Sequence, residues 1–103
     1  MTDCPFCKID AARVFHDGGL VVGVWDAYPV SDGHALLMPK RHVASWFDAT
    51  PEERAALSEG TAVARQAILQ RNTREKHALP DGFNIGVNAG ESAGQTVFHL
   101  HVH

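Results

Sequence analysis

The last six residues alternate between apolar and polar side chains, and this alternation constrains the fold more than any other feature of the chain. Because successive side chains of a strand point to opposite faces, an extended segment places every second residue on the same side. Three unpaired imidazoles are costly to bury, so we expect one face to line a polar cleft or a metal site and the other to enter the core. The polar positions are His99, His101 and His103, and the apolar ones are Phe98, Leu100 and Val102.

Length and composition indicate one small globular domain covering residues 1–103. The chain is 45% hydrophobic and 20% charged, which is typical of a globular protein whose single core is adequate but small. A formal net charge of -3 provides no basic surface for a nucleic-acid polymer. The sequence has neither an apolar run long enough for a membrane span nor the pattern of a signal peptide, so we expect a cytoplasmic protein with no membrane partner.

Strand and turn signals fill the first third of the chain. Residues 14–16 and 20–25 are β-prone and flank an Asp-Gly-Gly sequence, which predicts a hairpin. Residues 34–38 predict a third strand that stops at Pro39.

A helix is predicted to begin after Thr50. This hydroxyl is a suitable N-cap, Pro51 suits the first helical position, and Glu53 completes a capping box. The pattern weakens near residues 74–77. The predicted apolar stripe consists of Leu57, Thr61, Ala64 and Ile68.

Residues 83–88 also alternate, with an apolar set on one side and asparagine and glycine on the other. If this segment pairs with the terminal strand, Asn84, Gly86 and Asn88 lie beside the histidine face and form a polar groove. The predicted fold class is therefore α+β, with a mostly antiparallel sheet of about five strands and one main helix. A dimer would add to so small a core.

The spacing of the three histidines leaves more than one chemistry open. Neutral imidazoles on one strand face can share a metal ion. Alternatively, one imidazole can attack phosphorus while its neighbours hold the phosphate oxygens. A solvated polar face or a tag is the third possibility.

The longer segment Gly94-Gln95-Thr96-Val97-Phe98-His99-Leu100-His101-Val102-His103 resembles the histidine-triad (HIT) family of nucleotide hydrolases and transferases, in particular its small nucleoside phosphoramidases and their bacterial relatives. The upstream residues Asp26-Ala27, His34 and Pro39-Lys40-x-His42 are similar to other family segments. The family usually continues beyond the third histidine, whereas this sequence stops at His103. The resemblance implies a HIT-like fold that lacks this following segment.

The resemblance also implies site roles. His101 would be the nucleophile that carries the nucleotidyl group, and His34 would support the triad from behind. The substrate would be a purine nucleoside phosphoramidate or a dinucleoside polyphosphate cleaved at the α-phosphate. The implied catalytic residues are His101, His99, His103, His34 and Thr96, and the implied substrate-binding residues are Asp26, Ala27, Asn88, Gln95, Thr96 and His103.

Cys4 and Cys7 form a Cys-x-x-Cys pair, which supplies half of a tetrahedral zinc site. In some HIT relatives the site is completed by the histidine of Pro-Lys-x-His and the first triad histidine, which here implies His42 and His99 and a structural Zn²⁺. An unmetallated thiol pair and a redox pair are the alternatives.

The sequence is compatible with three functions. The first is a HIT-type nucleotide hydrolase that acts as a homodimer. The second is a zinc hydrolase in which the triad histidines ligate a catalytic ion. The third is a nucleotide-binding regulatory module with little turnover.

Overall fold

A computed structural model describes residues 4–26 and 34–103, and it contains a three-stranded antiparallel sheet and one long helix. The strands are β1 (Val14–Asp17), β2 (Val21–Trp25) and β3 (Ala35–Pro39), in the order β1-β2-β3. The helix α1 spans Pro51–Arg74. The α+β architecture with one main helix is therefore confirmed.

The central strand β2 pairs with both neighbours, and the predicted hairpin between β1 and β2 is confirmed. Gly19 adopts a φ of 80° in the turn, a conformation that glycine takes without steric cost. Gly23 has a different reason to be glycine, because a Cβ there would lie 2.7 Å from the Phe15 ring and 3.0 Å from Leu37. This close approach lets side chains from both neighbouring strands cover β2.

The predicted capping box begins α1. The Thr50 hydroxyl accepts a hydrogen bond from the Glu53 amide at 3.0 Å, and the Glu53 carboxylate accepts one from the Thr50 amide at 2.9 Å. In the predicted stripe Leu57, Ala64 and Ile68 are buried and Thr61 is half-buried. Within the described ranges, no helix combines the length and the apolar character needed to cross a membrane.

Each face of the sheet has its own apolar cluster. The cluster under α1 includes Leu37, Leu57 and Leu100, and Gly60 lets the helix approach closely because its Cβ would stand 3.0 Å from Leu37. The cluster on the opposite face contains Val24, Leu36 and Met38, with half-buried side chains packed against it. Those side chains are Phe6, Ile9, Val14 and Val22. The N-terminal segment therefore covers the face of the sheet opposite α1.

The prediction of about five strands is wrong, because the last two segments form only isolated bridges. Leu37 and Val102 exchange two backbone hydrogen bonds, of 2.9 and 2.8 Å, which places the terminal segment beside β3. Gly86 and His103 exchange two more, of 2.7 and 3.2 Å, beyond it. Residues 83–88 are therefore not a regular strand, and the bridge from Val87 to Val102 is isolated.

Apolar side chains of residues 83–88 and of the terminal segment are exposed, although the alternating pattern groups them on an apolar face. Phe83 and Ile85 are 42% and 65% exposed, and Phe98 of the terminal segment is 48% exposed. Apolar burial is the main favourable contribution that offsets the entropy of ordering a chain segment. A segment that buries so little of this surface has little to hold it in a continuous ladder.

Candidate active site and metal centre

The terminal segment divides its side chains between the core and a histidine cluster. Leu100 and Val102 are 0% and 6% exposed and belong to the cluster under α1. The Leu100 amide donates to the Val43 carbonyl at 2.7 Å, which ties the segment to the loop after β3. His99 and His101 are buried, whereas His103 is exposed. The alternation therefore separates core from site at 100–103, as the sequence predicted.

His99 has a defined tautomer. Its Nε2 lies 2.7 Å from the Pro39 carbonyl oxygen, and since a carbonyl only accepts, Nε2 carries the proton. Its Nδ1 lies 3.5 Å from the Cys4 Sγ and 3.6 Å from the Cys7 Sγ. Burial lowers the pKa of His99, and the nearby His42 and His101 lower it further. A neutral ring with its lone pair facing two thiols is ready to bind a metal ion.

The four predicted metal ligands come together. Cys4 and Cys7 flank a tight turn closed by a 3.1 Å backbone hydrogen bond, and the Cys7 Sγ lies 3.1 Å from the His42 Nδ1. One ligand atom from each of Cys4, Cys7, His42 and His99 lies within 4.8 Å of all the others. Two thiols and two imidazoles at this separation match the donor set of a tetrahedral zinc site, so this cluster fits a metal ion.

His101 is fixed in the complementary tautomer. Its Nδ1 lies 2.8 Å from the His99 carbonyl oxygen, so Nδ1 donates, and in the neutral ring Nε2 carries the lone pair. The ring makes edge contacts with Phe6 and with His103, both at 4.8 Å between centroids. With 7% of its surface exposed, His101 holds its Nε2 in a confined site.

His103 is the first of three side chains in a series of contacts that continues through His34 to Asp26. The His103 Nδ1 lies 3.2 Å from the His34 Nε2, and the two rings stack at 5.4 Å. The His34 Nδ1 lies 2.9 Å from a carboxylate oxygen of Asp26. Partial desolvation of its ring lowers the pKa of His103, and His101 and His34 lower it further. Asp26, which the resemblance implies as a substrate-binding residue, thus also contacts His34.

Gln95, which the resemblance implies as a substrate-binding residue, has its side chain engaged by the backbone around it. The side chain is buried, and its Nε2 donates to the carbonyl oxygens of Ala44 at 2.6 Å and Val97 at 3.0 Å. Its Oε1 accepts from the Gly90 amide at 2.8 Å. In this arrangement Gln95 shapes the loop that leads into the triad.

The remaining predicted substrate-binding residues are more exposed. Thr96 and Asn88 are both exposed, and the Asn88 side chain donates to the Gly94 carbonyl at 3.5 Å. Ala27 lies outside the described residues. Their roles therefore stay predictions.

A cavity of about 600 Å³ lies next to His34 and His103. The sequence predicted a groove with an asparagine and glycine face, and Asn84 does line this cavity, while a Cβ at Gly86 would meet open space. Most of the wall is apolar, however. Its apolar residues include Leu37, Ala64, Ile68, Phe83, Ile85 and Val102.

An ion pair beside the metal ligands was missed by the sequence reasoning. The Glu53 carboxylate accepts from the Arg41 guanidinium at 2.7 and 3.1 Å, and Arg41 directly precedes His42. This hydrogen bonding lowers the pKa of Glu53 to about 2. The pattern Thr50-x-x-Glu53 predicted only the helix cap, because nothing local indicates that the same carboxylate also binds a residue 12 positions earlier.

Residues 8–103 match the family model described as the HIT domain, so the chain belongs to the HIT domain family. The chain is 39% identical to an uncharacterised HIT-like protein of Mycobacterium tuberculosis, covering 97% of this chain and 68% of that protein. It is 37% identical to the AP-4-A phosphorylase of the same species, covering 99% of this chain and 50% of that protein.

The fold agrees with this assignment. A crystal structure of a HIT family member from Bacillus subtilis superposes with a TM-score of 0.81 at 30% identity, covering 99% of this chain and 71% of that one. The expected family is therefore confirmed by both sequence and structure.

Proposed function

We propose that this protein is a nucleotide hydrolase that cleaves its substrate at the α-phosphate through a covalent nucleotidyl intermediate on His101. The observation that carries the proposal is the tautomer of this residue. The His99 carbonyl accepts from Nδ1 at 2.8 Å, so in the neutral ring the proton lies on Nδ1 and the Nε2 lone pair is available as the nucleophile. Membership of the HIT family and similarity to a protein named AP-4-A phosphorylase support nucleotide chemistry.

The reaction proceeds in two displacements. In the first, His101 Nε2 forms a bond to the α-phosphorus, and the bond to the leaving group breaks with its electron pair going to that group, which takes up a proton from solvent when it is an amine. In the second, a water oxygen attacks the same phosphorus, the bond to Nε2 breaks, and the water loses a proton to solvent. Nucleoside monophosphate leaves and the neutral ring returns. The His99 carbonyl stabilises the ring throughout, because Nδ1–H gains positive character when Nε2 is phosphorylated.

The neighbouring side chains have supporting roles in this proposal. His103 contacts the α-phosphate, and His34 orients it through the 3.2 Å contact between their ring nitrogens. Asp26 and Ala27 bind the ribose. Thr96 and Asn88 contact the phosphate or the leaving group, and Gln95 positions their loop through its hydrogen bonds to Ala44, Val97 and Gly90.

The proposed metal is a structural Zn²⁺ held by Cys4, Cys7, His42 and His99. When bound, it supplies a cross-link between the N-terminal turn and the catalytic segment. The rival zinc hydrolase requires all three triad histidines as ligands. Within the part of the chain that the structure describes, the cluster of possible metal ligands contains only His99 from the triad. This observation favours the structural role.

The proposed substrates are purine nucleoside phosphoramidates and dinucleoside polyphosphates, and the proposed setting is a homodimer in the cytoplasm. Two exposed apolar side chains beside the cavity, Phe83 and Ile85, support an association that would cover them. The relatives cited above are longer than this chain, so the activity proposed is that of this domain.

The direct test is to trap the intermediate. We expect mass spectrometry of the protein quenched during turnover of a slow adenosine phosphoramidate to find an AMP-sized adduct on a peptide containing His101. His101→Ala should abolish the adduct and lower turnover by at least about 1000-fold, because it removes the nucleophile. His77→Ala changes an exposed histidine away from the site and is the matched control.

The two other candidate functions give different results, and the first of them is a binding module with little turnover. It predicts tight binding of nucleoside monophosphate by calorimetry, with neither adduct nor hydrolysis. The zinc hydrolase predicts turnover that chelation abolishes, again without an adduct. Turnover with no adduct under conditions that trap other nucleotidyl-histidines would therefore contradict our proposal.

A further inference from the structure

Phe6 lies inside the metal-binding turn, yet its ring packs against the proposed nucleophile. One residue separates Phe6 from Cys4, and Cys7 follows Phe6 directly. The Phe6 ring centroid lies 4.8 Å from that of His101, with an interplanar angle of 76°. The contact with the His99 ring is longer, at 6.1 Å. Phe6 is therefore the aromatic side chain of this turn that touches His101.

The ring of Phe6 is supported from behind by the sheet. It is half-buried and packs against the cluster of Val24, Leu36 and Met38. The turn that carries it is closed by the hydrogen bond from the Cys7 amide to the Cys4 carbonyl, and both sulfur atoms face the His99 Nδ1. Phe6 is thus held at its backbone by the metal ligands and at its ring by the core.

Two other contacts restrain the His101 ring, and neither involves the N-terminal turn. The His99 carbonyl fixes Nδ1, and the His103 ring meets His101 edge-on at 4.8 Å. Phe6 adds a contact from that turn, and a ring packed edge-on at 4.8 Å hinders rotation of the imidazole away from the His99 carbonyl. Reaction rates are sensitive to such restraint, since a displacement of about 1 Å can cost about 100-fold.

We propose that Phe6 is a positioning residue through which the metal-binding turn holds the His101 ring in its reactive orientation. This inference rests on the proposed function, because it concerns the nucleophile of that reaction. A bound metal fixes Cys4 and Cys7, the fixed turn holds Phe6, and Phe6 restrains His101. Metal loading therefore promotes the first displacement without the metal touching the substrate.

The first measurement is made without substrate. Long-range proton–nitrogen spectra of the histidine rings at one fixed pH report which nitrogen of His101 is protonated and whether the ring exchanges between states. Zinc-loaded protein should give a single Nδ1–H form. Phe6→Ala should give broadened or mixed signals even when metal analysis finds its zinc retained, and Phe6→Leu, which keeps most of the apolar volume, should restore part of the single form.

The second measurement is the single-turnover rate of nucleotidylation with and without zinc. Chelation should slow the wild type by about 10-fold to 100-fold. Phe6→Ala should be slowed by a similar factor when loaded, and chelation should slow it little further. Val22→Ala truncates another half-buried side chain packed on the same cluster and should behave like the wild type. Circular dichroism verifies that each form is folded.

Three results would overturn the inference. One is a Phe6→Ala protein with wild-type His101 signals and rate. Another is a Phe6→Ala protein that needs more substrate for saturation but keeps the wild-type maximal rate, since Phe6 would then contact the substrate. The third is a Phe6→Ala protein whose nucleotidylation rate falls on chelation by the same factor as that of the wild type, since the metal would then act by another route. If the wild type forms no adduct, the proposed function fails, while the substrate-free spectra still decide whether Phe6 orients His101.

Discussion

At the residue scale, the histidines of this site differ in which ring nitrogen faces a hydrogen-bond acceptor. His99 donates from Nε2 to Pro39 and turns Nδ1 to the thiols, whereas His101 donates from Nδ1 to His99 and keeps Nε2 free. The same residue type two positions apart therefore suits a metal ligand in one case and a nucleophile in the other. Backbone carbonyls make this division, because they accept and never donate.

Gln95 gives a prediction at this scale. Gln95→Leu keeps the apolar stem but removes hydrogen bonds to Ala44, Val97 and Gly90, and it leaves the carbonyls of the half-buried Ala44 and Val97 without this donor. We expect the free energy of unfolding to fall by about 2–3 kcal/mol. Urea denaturation measures this change, with Thr96→Val at the exposed neighbouring position as the control. Equal stability of both variants would mean that Gln95 is not a structural residue.

At the element scale, the start of α1 is also part of the support for the metal cluster. Glu53 closes the capping box with Thr50 and binds Arg41, which precedes the ligand His42. One buried carboxylate thus joins the helix to the loop after β3. The helix cap was predictable because its contacts lie within four residues, whereas the link to Arg41 depends on how the loop packs.

The pH dependence of this ion pair is a second prediction. The pKa of Glu53 is lowered to about 2, first through the hydrogen bond from Arg41, compared with 4.5 in an unperturbed glutamate. A depressed carboxyl pKa contributes stability that is fully present above pH 4.5 and is lost as the pH falls through about 2. Because the Arg41 side chain is 55% exposed, solvent screening limits the contribution to about 1–2 kcal/mol.

Urea denaturation of the wild type and Glu53→Gln at several pH values tests this prediction. We expect the wild type to be the more stable protein near pH 6 and the difference to shrink steadily between pH 4.5 and 2. Glu59→Gln, at an exposed position of the same helix, is the control and should show no such convergence. A difference that is constant with pH would exclude the ionised Glu53 as its source.

At the scale of the whole molecule, the proposed metal joins segments that are distant in sequence. Cys4 and Cys7 lie at one end of the chain and His99 at the other, with His42 between them. A ligand that binds the folded but not the unfolded chain stabilises the fold by mass action. A metal ion held by this cluster would therefore cross-link a domain with a small core.

Metal removal gives the third prediction. Adding zinc to chelated protein should raise the unfolding free energy by about 3 kcal/mol when free zinc exceeds the dissociation constant about 100-fold. Thermal unfolding with and without chelator measures the shift. Cys7→Ser should lose most of it, because serine is a poor zinc ligand, whereas Ser58→Ala, at an exposed site on α1, should retain it. A wild type that zinc does not stabilise would contradict the structural metal.

Local sequence patterns predicted much of the structure of this protein. Alternation between residues 98 and 103 separated Leu100 and Val102 from the histidines, and Thr50-Pro51-x-Glu53 marked the helix start, because both depend on backbone geometry over a few residues. The same alternation failed at residues 83–88, where Phe83 and Ile85 are exposed. Period-two spacing states which residues share a face, but not whether anything covers that face.

The sequence by itself predicted the family, one long helix, a hairpin followed by a third strand and, through the family resemblance, the four potential metal ligands. The tertiary structure alone decided that Phe6 meets His101, that Glu53 binds Arg41, and that Gln95 turns inward to its loop. It also set the tautomers of His99 and His101. The physical reason is that all of these depend on which backbone carbonyls, rings and charges come to lie beside a side chain, and packing of distant segments fixes those neighbours.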